Sequence, residues 1–209
     1  LREFGILIKI EIKNVEIEKG FVKMEQPKKE KNEIWEWARA LILAFGLAFI
    51  IRYYLFTPIV VDGESMMPTL ESGDRMVVNK IGYRIGELHR FDIVIFHATE
   101  EKDFVKRIIG LPGDHVAYKN DQLYINGEVL EEPFLDTKKA QLTSGTLTED
   151  FTLEEYTQKS IIPEGYVFVM GDNRRNSLDS RRIGLVSVKE IIGDTHVVFW
   201  PMNEMGLVE

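Results

Sequence analysis

The chain has 209 residues, of which 44% are hydrophobic, 11% aromatic and 29% charged. That is enough apolar material for one sizeable core and one hydrophobic segment set apart from it, and it excludes wholesale disorder, a collagen and a polytopic membrane protein. Cysteine is absent, which excludes disulfides, thiolate metal sites and a cysteine nucleophile. Residues 1–56 carry 10 basic and 8 acidic side chains, and residues 57–209 carry 16 and 26; so acidic a main body repels a phosphate backbone, and no nucleic-acid partner is expected.

Residues 1–23 precede Met24, and Lys19-Gly20 just before it can be encoded as a purine-rich ribosome-binding sequence. Met24 is therefore the expected start, with 1–23 read as upstream sequence. Ala40–Ile51 runs without a polar side chain, between Trp35 and Trp37 on one side and Tyr53 and Tyr54 on the other. Arg39 and Arg52 stand where long side chains snorkel to headgroups, so 34–56 reads as a transmembrane anchor of ~34 Å. No small-residue cleavage site follows, so the anchor is expected to stay attached. Lys28, Lys29, Lys31 and Arg39 put residues 1–33 on the cytoplasmic side and 57–209 outside, which makes a single-pass protein of the cell membrane with phospholipid as a partner.

Past Phe56 the pattern turns to short β-like runs: Ile59–Val61, Arg75–Asn79, Asp92–His97, Phe104–Ile109, Val116–Tyr118, Leu123–Ile125, Tyr166–Met170 and Thr195–Trp200. Asn126-Gly127 signals a type I′ hairpin, because both residues tolerate positive φ. Helical signal is sparse, with single turns expected at Met67–Glu71 and Val188–Ile191. Asp136–Ser160 is polar without an apolar period and reads as a surface segment, within an insertion of about residues 119–164. The expected fold is mainly β.

Three segments hold candidate chemistry. Ser65 follows the first strand in a turn shaped by Gly63 and Pro68, which can expose a hydroxyl and aim backbone N–H groups at one point. Lys106 alternates onto one face of its strand with Phe104 and Ile108, while Arg107 faces the other way. An ammonium kept against apolar neighbours loses hydration, which lowers its pKa and frees an amine to act as a base. Gly171–Arg181 follows an apolar strand with many hydrogen-bonding side chains, among them Asp172, Ser177, Asp179 and Arg181. Taken singly, each has an ordinary reading: a turn serine, a snorkelling lysine, a solvated loop.

Together they resemble a known family. Ser65-Met66-Met67-Pro68-Thr69, Lys106 through Asp114 and Gly171 through Arg181 are similar to the sequence boxes of bacterial type I signal peptidases. Arg90–Phe96 resembles a further box, with Phe91 where glycine is common. The likeness spans about Glu36 to Glu204 and looks closest to the Gram-positive branch, such as the Bacillus enzymes. It implies a β fold of twisted antiparallel sheets, of the kind shared with LexA-like proteins, behind one N-terminal transmembrane helix. It also implies a serine endopeptidase that removes signal peptides from exported preproteins after small residues, near the secretion machinery and without a cofactor or metal.

By that resemblance Ser65 is the nucleophile and Lys106 the general base. Ser177 orients Lys106, and Asp172, Asp179 and Arg181 hold the strand end. The oxyanion falls to the Ser65 N–H, with Gly63 at the position where some relatives add a serine hydroxyl. Ile59, Val61 and Val105 are candidates for shallow pockets. Other readings are a histidine triad drawn from His89, His97, His115 or His196, a self-cleaving repressor domain, and an anchored β domain without activity. The repressor would need a DNA-binding module where the sequence offers an apolar span.

Overall fold

The computed structural model describes residues 33–50, 56–80 and 87–208. The readings of residues 1–32, Met24 included, lie outside that range. Helix α1 covers Glu33–Ile50, with Glu33 and Glu36 in its first turn, where carboxylates complement the helix dipole. Its side chains are exposed apart from half-buried Ala38. No helix among the described residues is long and apolar enough to cross a membrane; the expected span runs on into 51–55, which are not described.

Twelve strands are described after α1: β1 (Phe56–Val60), β2 (Arg75–Asn79), β3 (Ile93–His97), β4 (Asp103–Gly110), β5 (Val116–Lys119), β6 (Gln122–Ile125), β7 (Glu128–Leu130), β8 (Phe151–Thr152), β9 (Tyr166–Met170), β10 (Val186–Ser187), β11 (Ile191–Trp200) and β12 (Gly206–Leu207). They form two antiparallel sheets. The larger runs β1-β2-β11-β3-β4-β9-β10 with β12 added beside β11, and the smaller runs β7-β6-β5-β8. The fold is mainly β, and the strands follow their side-chain period. In β9, Phe168 and Met170 enter the core shared with the smaller sheet, while Val167 and Val169 enter a second core against Val94, Phe96 and Ile108. Both faces of β9 are thus covered, which explains a strand that reads as continuously apolar.

The Asn126-Gly127 hairpin forms as expected, with φ of 55° and 87° and Ile125 opposite Glu128. Asp136–Ser160 departs from expectation. It forms short helices at Asp136–Ala140 and Leu153–Thr157 with β8 between them, and it buries Leu147, Thr148, Phe151 and Leu153. Two-residue strands and single helical turns are too short to show a period, so β8, β10 and β12 left no signal in the sequence. Val188–Glu190 is a 3-10 turn that leads straight into β11, which starts four residues before the expected Thr195.

Candidate active site

Ser65 lies in the loop joining β1 to β2. The loop is closed at its base by Val61 N–H donating to Asp74 O (2.8 Å) and Gly73 N–H donating to Val61 O (2.9 Å), and it is pinned from within by buried Met66 and Leu70. Gly63 adopts φ of 107°, a conformation that L side chains resist. Its N–H donates to Ser72 Oγ at 3.3 Å. Gly63 is therefore engaged in shaping the loop, and as a glycine it offers no side-chain donor to an oxyanion. The Ser65 N–H has no acceptor among the described residues, whereas Ser65 O accepts from Asn173 N–H at 2.9 Å.

β4 brings Lys106 to this loop. Nζ lies 2.8 Å from Ser65 Oγ and donates to Val105 O at 2.9 Å, with the Phe104 ring 5.0 Å away on the same strand face. The side chain is buried rather than snorkelling. Burial pulls the Lys106 pKa from 10.5 down to about 8, against the opposing attraction of Asp179 and Asp172.

The loop after β9 completes the surroundings. Asp172 is fully buried, paired with Arg107 (Nη2 to Oδ2, 2.8 Å; Nε to Oδ1, 3.0 Å), and it accepts from Thr69 Oγ1 at 2.5 Å. It thereby ties the Ser65 loop to β4. Asp179 caps the helix Ser180–Ile183, accepts from Gly171 N–H at 3.1 Å and pairs with Arg181 at 2.8 Å. Burial would raise its carboxyl, but the Arg181 guanidinium and the Gly171 N–H together hold it below the usual carboxylate range. Ser177 does not bond Lys106, contrary to expectation. The Lys106 donors go to Ser65 and Val105, while the buried Ser177 Oγ forms no well-aligned hydrogen bond and only helps to hold the Asp179 carboxyl low. A Cβ on Gly171 would collide with both Ser177 Oγ and Ser65 O, so the two loops meet where only glycine fits.

Three residues at the site were missed as functional in the sequence. Arg107 was placed only by alternation, yet it is fully buried, stacks on Phe134 at 3.9 Å and donates to Phe91 O at 2.9 Å. Arg174 and Glu132 form a buried pair that also holds the Tyr118 hydroxyl, which donates to Glu132 at 2.6 Å. For Arg107 the available signal was a charged residue in an apolar strand, whereas Arg174 stands among polar neighbours and gave none. Phe91 has φ of 73°, a left-handed conformation that bulky side chains rarely adopt.

Beside the dyad is a cavity of about 400 Å³ whose walls include Ile59, Val61, Ile95, Val105 and Leu178. The three pocket candidates from the sequence thus meet there. No histidine lines it; His97, His115 and His196 pair elsewhere with Asp103, Glu154 and Asp194.

The family described as signal peptidase, peptidase S26, matches residues 34–200. Among curated relatives, signal peptidase I of Bacillus caldolyticus is 47% identical over 183 residues, covering 88% of this chain and 98% of that protein. Signal peptidase IB of Staphylococcus aureus is 41% identical over 178 residues, covering 83% and 93%. A crystal structure of a signal peptidase I from Enterococcus faecalis is 44% identical, covering 52% of this chain and 96% of that one, with a TM-score of 0.49. With the match running from α1 to the end of β11, the chain belongs to the signal peptidase family, peptidase S26, in its Gram-positive type I branch.

Proposed function

We propose that this signal peptidase cuts preproteins with Ser65 as nucleophile and Lys106 as general base, from an anchored position at the membrane surface. The observation that carries the reading is the 2.8 Å separation of Lys106 Nζ and Ser65 Oγ beside an apolar cavity. With a pKa of about 8, roughly one Lys106 in ten is neutral at pH 7, and that fraction accepts the Ser65 proton as Oγ attacks the scissile carbonyl. Charge then develops on the carbonyl oxygen, and the Ser65 N–H is available to receive it. The ammonium so formed returns its proton to the leaving amine, and water clears the acyl-enzyme by the same route in reverse.

Specificity for small residues before the cut has support in the shape of the cavity. Its walls include β1 and the first half of β4, and β9 pairs with β4 only from Arg107 onward, leaving room for an extended peptide beside Val105. The membrane reading rests on the bare apolar surface of α1, where Leu41, Ile42, Leu43, Phe45, Leu47 and Phe49 are all exposed. We place the N-terminal side of α1 in the cytoplasm and the catalytic body outside.

The test is a preprotein incubated with Ser65→Ala and Lys106→Arg, the cut position being read by mass spectrometry. Arginine keeps the charge and cannot serve as a base, so both variants are expected to lose cleavage alike. If Lys106→Arg still cuts while a histidine substitution does not, the dyad is wrong.

A further inference from the structure

The loop after β9 divides two cavities. Leu178 lines the one that holds Ser65 and Lys106, and its neighbour Ser177 lines a second, of about 670 Å³. The linings differ in chemistry. The first is largely aliphatic, whereas Arg174, Arg175, Arg181 and Arg182 all reach the second, with Glu149 as its acid. Arg174 is neutralised by Glu132 and Arg181 by Asp179, which leaves Arg175 and Arg182 against the one acid Glu149, a net charge of one positive unit. The Arg175 guanidinium is steadied on Thr146 O, with Nε at 3.1 Å, and that of Arg182 makes no hydrogen bond or ion pair among the described residues. Residues 57–209 have ten more acidic than basic side chains, so a concavity next to the dyad where Arg175 and Arg182 outnumber Glu149 runs against the general charge of the body.

An endopeptidase must seat chain on both sides of the bond it breaks. If the apolar cavity takes the residues before the cut, the residues after it have to leave Ser65 by another way, and the basic cavity opens one residue along the same loop. Ser177, which lines the basic cavity, and Ser65 both crowd the space beside Gly171, so the cavity begins close to the nucleophile and the first few residues after the cut, at about 3.3 Å each when extended, are the ones it would meet. From this juxtaposition we infer that the Arg175–Arg182 cavity receives the start of the mature protein and favours acidic side chains there. The inference depends on the Ser65–Lys106 reading and adds to it a second determinant of specificity, which acts through charge rather than size.

The experiment uses the full chain in detergent micelles and three preproteins that differ only at the second to fourth residues after the cut, which are Asp, Ser or Lys. The wild type is expected to prefer Asp over Lys by about 10-fold in kcat/KM, carried mainly by KM and shrinking at high salt. Arg182→Glu is expected to invert the preference and Arg175→Glu to reduce it. Each result is a ratio between substrates on one preparation, so partial loss of folded protein cancels. Equal rates on all three substrates, or the wild-type preference persisting in both variants, overturn the inference while leaving the dyad intact. So does Arg182→Glu with unaltered preference but lost binding to phosphatidylglycerol vesicles, which would assign the cavity to lipid headgroups. Failure of the wild type to cut even the Ser substrate refutes the dyad reading and this one with it.

Discussion

At Lys106 two demands conflict, since the side chain must be dry to be a base and drying a charge destabilises the fold. Its folded pKa of about 8 lies below the ordinary 10.5, so the unfolded chain binds more protons between those values and stability rises with pH across that window. Below about pH 8 the full penalty of the buried ammonium is present. Lys106→Met is therefore expected to abolish cleavage yet to be more stable than the wild type at pH 7, by about 3 kcal/mol at most. Paired denaturation curves should show this difference vanishing toward pH 10.5. The catalytic counterpart is a kcat/KM that climbs about tenfold per pH unit and levels above about 8; a profile flat from pH 6 to 9 would show that the base is another group. Lys106 was legible because alternation set it beside Phe104. Arg107 was not, since a Lys-Arg pair in a strand reads as one inward and one solvated charge, and only Asp172, sixty-five positions later, makes burial of the second tolerable.

A buried ion pair ties the two sheets together. Arg174, in the loop after β9, meets Glu132 and Tyr118, which belong to the smaller sheet and the turn beyond it. Both side chains of the Arg174–Glu132 pair are fully buried, and Glu132 Oε2 has no hydrogen-bond partner, with Lys139 Nζ at 3.9 Å. Such a pair contributes little as a unit, but breaking it strands a charge. Arg174→Met is expected to destabilise by about 3–5 kcal/mol, while adding Glu132→Leu should recover a large part of the loss. Urea unfolding of the single and double variants measures this coupling. The two short helices and the two-residue strand β8 of 136–160 exist for similar reasons. Buried Phe151 packs on Tyr118 and Phe168, with ring centroids 5.1 Å and 5.9 Å apart, and these contacts with distant strands order a segment whose own pattern carries no period.

Over the whole β body, one end of the larger sheet is apolar and bare. Val60, Arg75 and Trp200 are register partners across β1, β2 and β11, and Val60, Trp200, Met202, Met205 and Leu207 are all exposed. On the membrane-surface reading proposed above, Trp200 with Met202 and Met205, bordered by Arg75, whose guanidinium lies 5.9 Å from the Trp200 ring, would meet the boundary of the bilayer. Replacing Trp200 and Met202 together by serine is expected to slow cleavage of a vesicle-inserted preprotein several-fold while sparing a short soluble peptide. Equal slowing of both substrates would place the effect in the catalytic body instead.

Local pattern alone determined much of this protein. The type I′ turn at Asn126-Gly127, the runs that became β2, β3, β4, β6 and β9, and the face of Lys106 all follow from contacts between near neighbours. The motif boxes around Ser65, Lys106 and Gly171–Arg181 carried the family. What only the tertiary structure decided concerns partners distant in sequence. The Val105 carbonyl, rather than Ser177, accepts the second Lys106 hydrogen bond, Gly63 spends its N–H on Ser72, and Arg107 and Arg174 find their carboxylates in the interior. The physical reason is that burying a charged side chain is costly unless a partner meets it, and the chain brings that partner from tens of residues away.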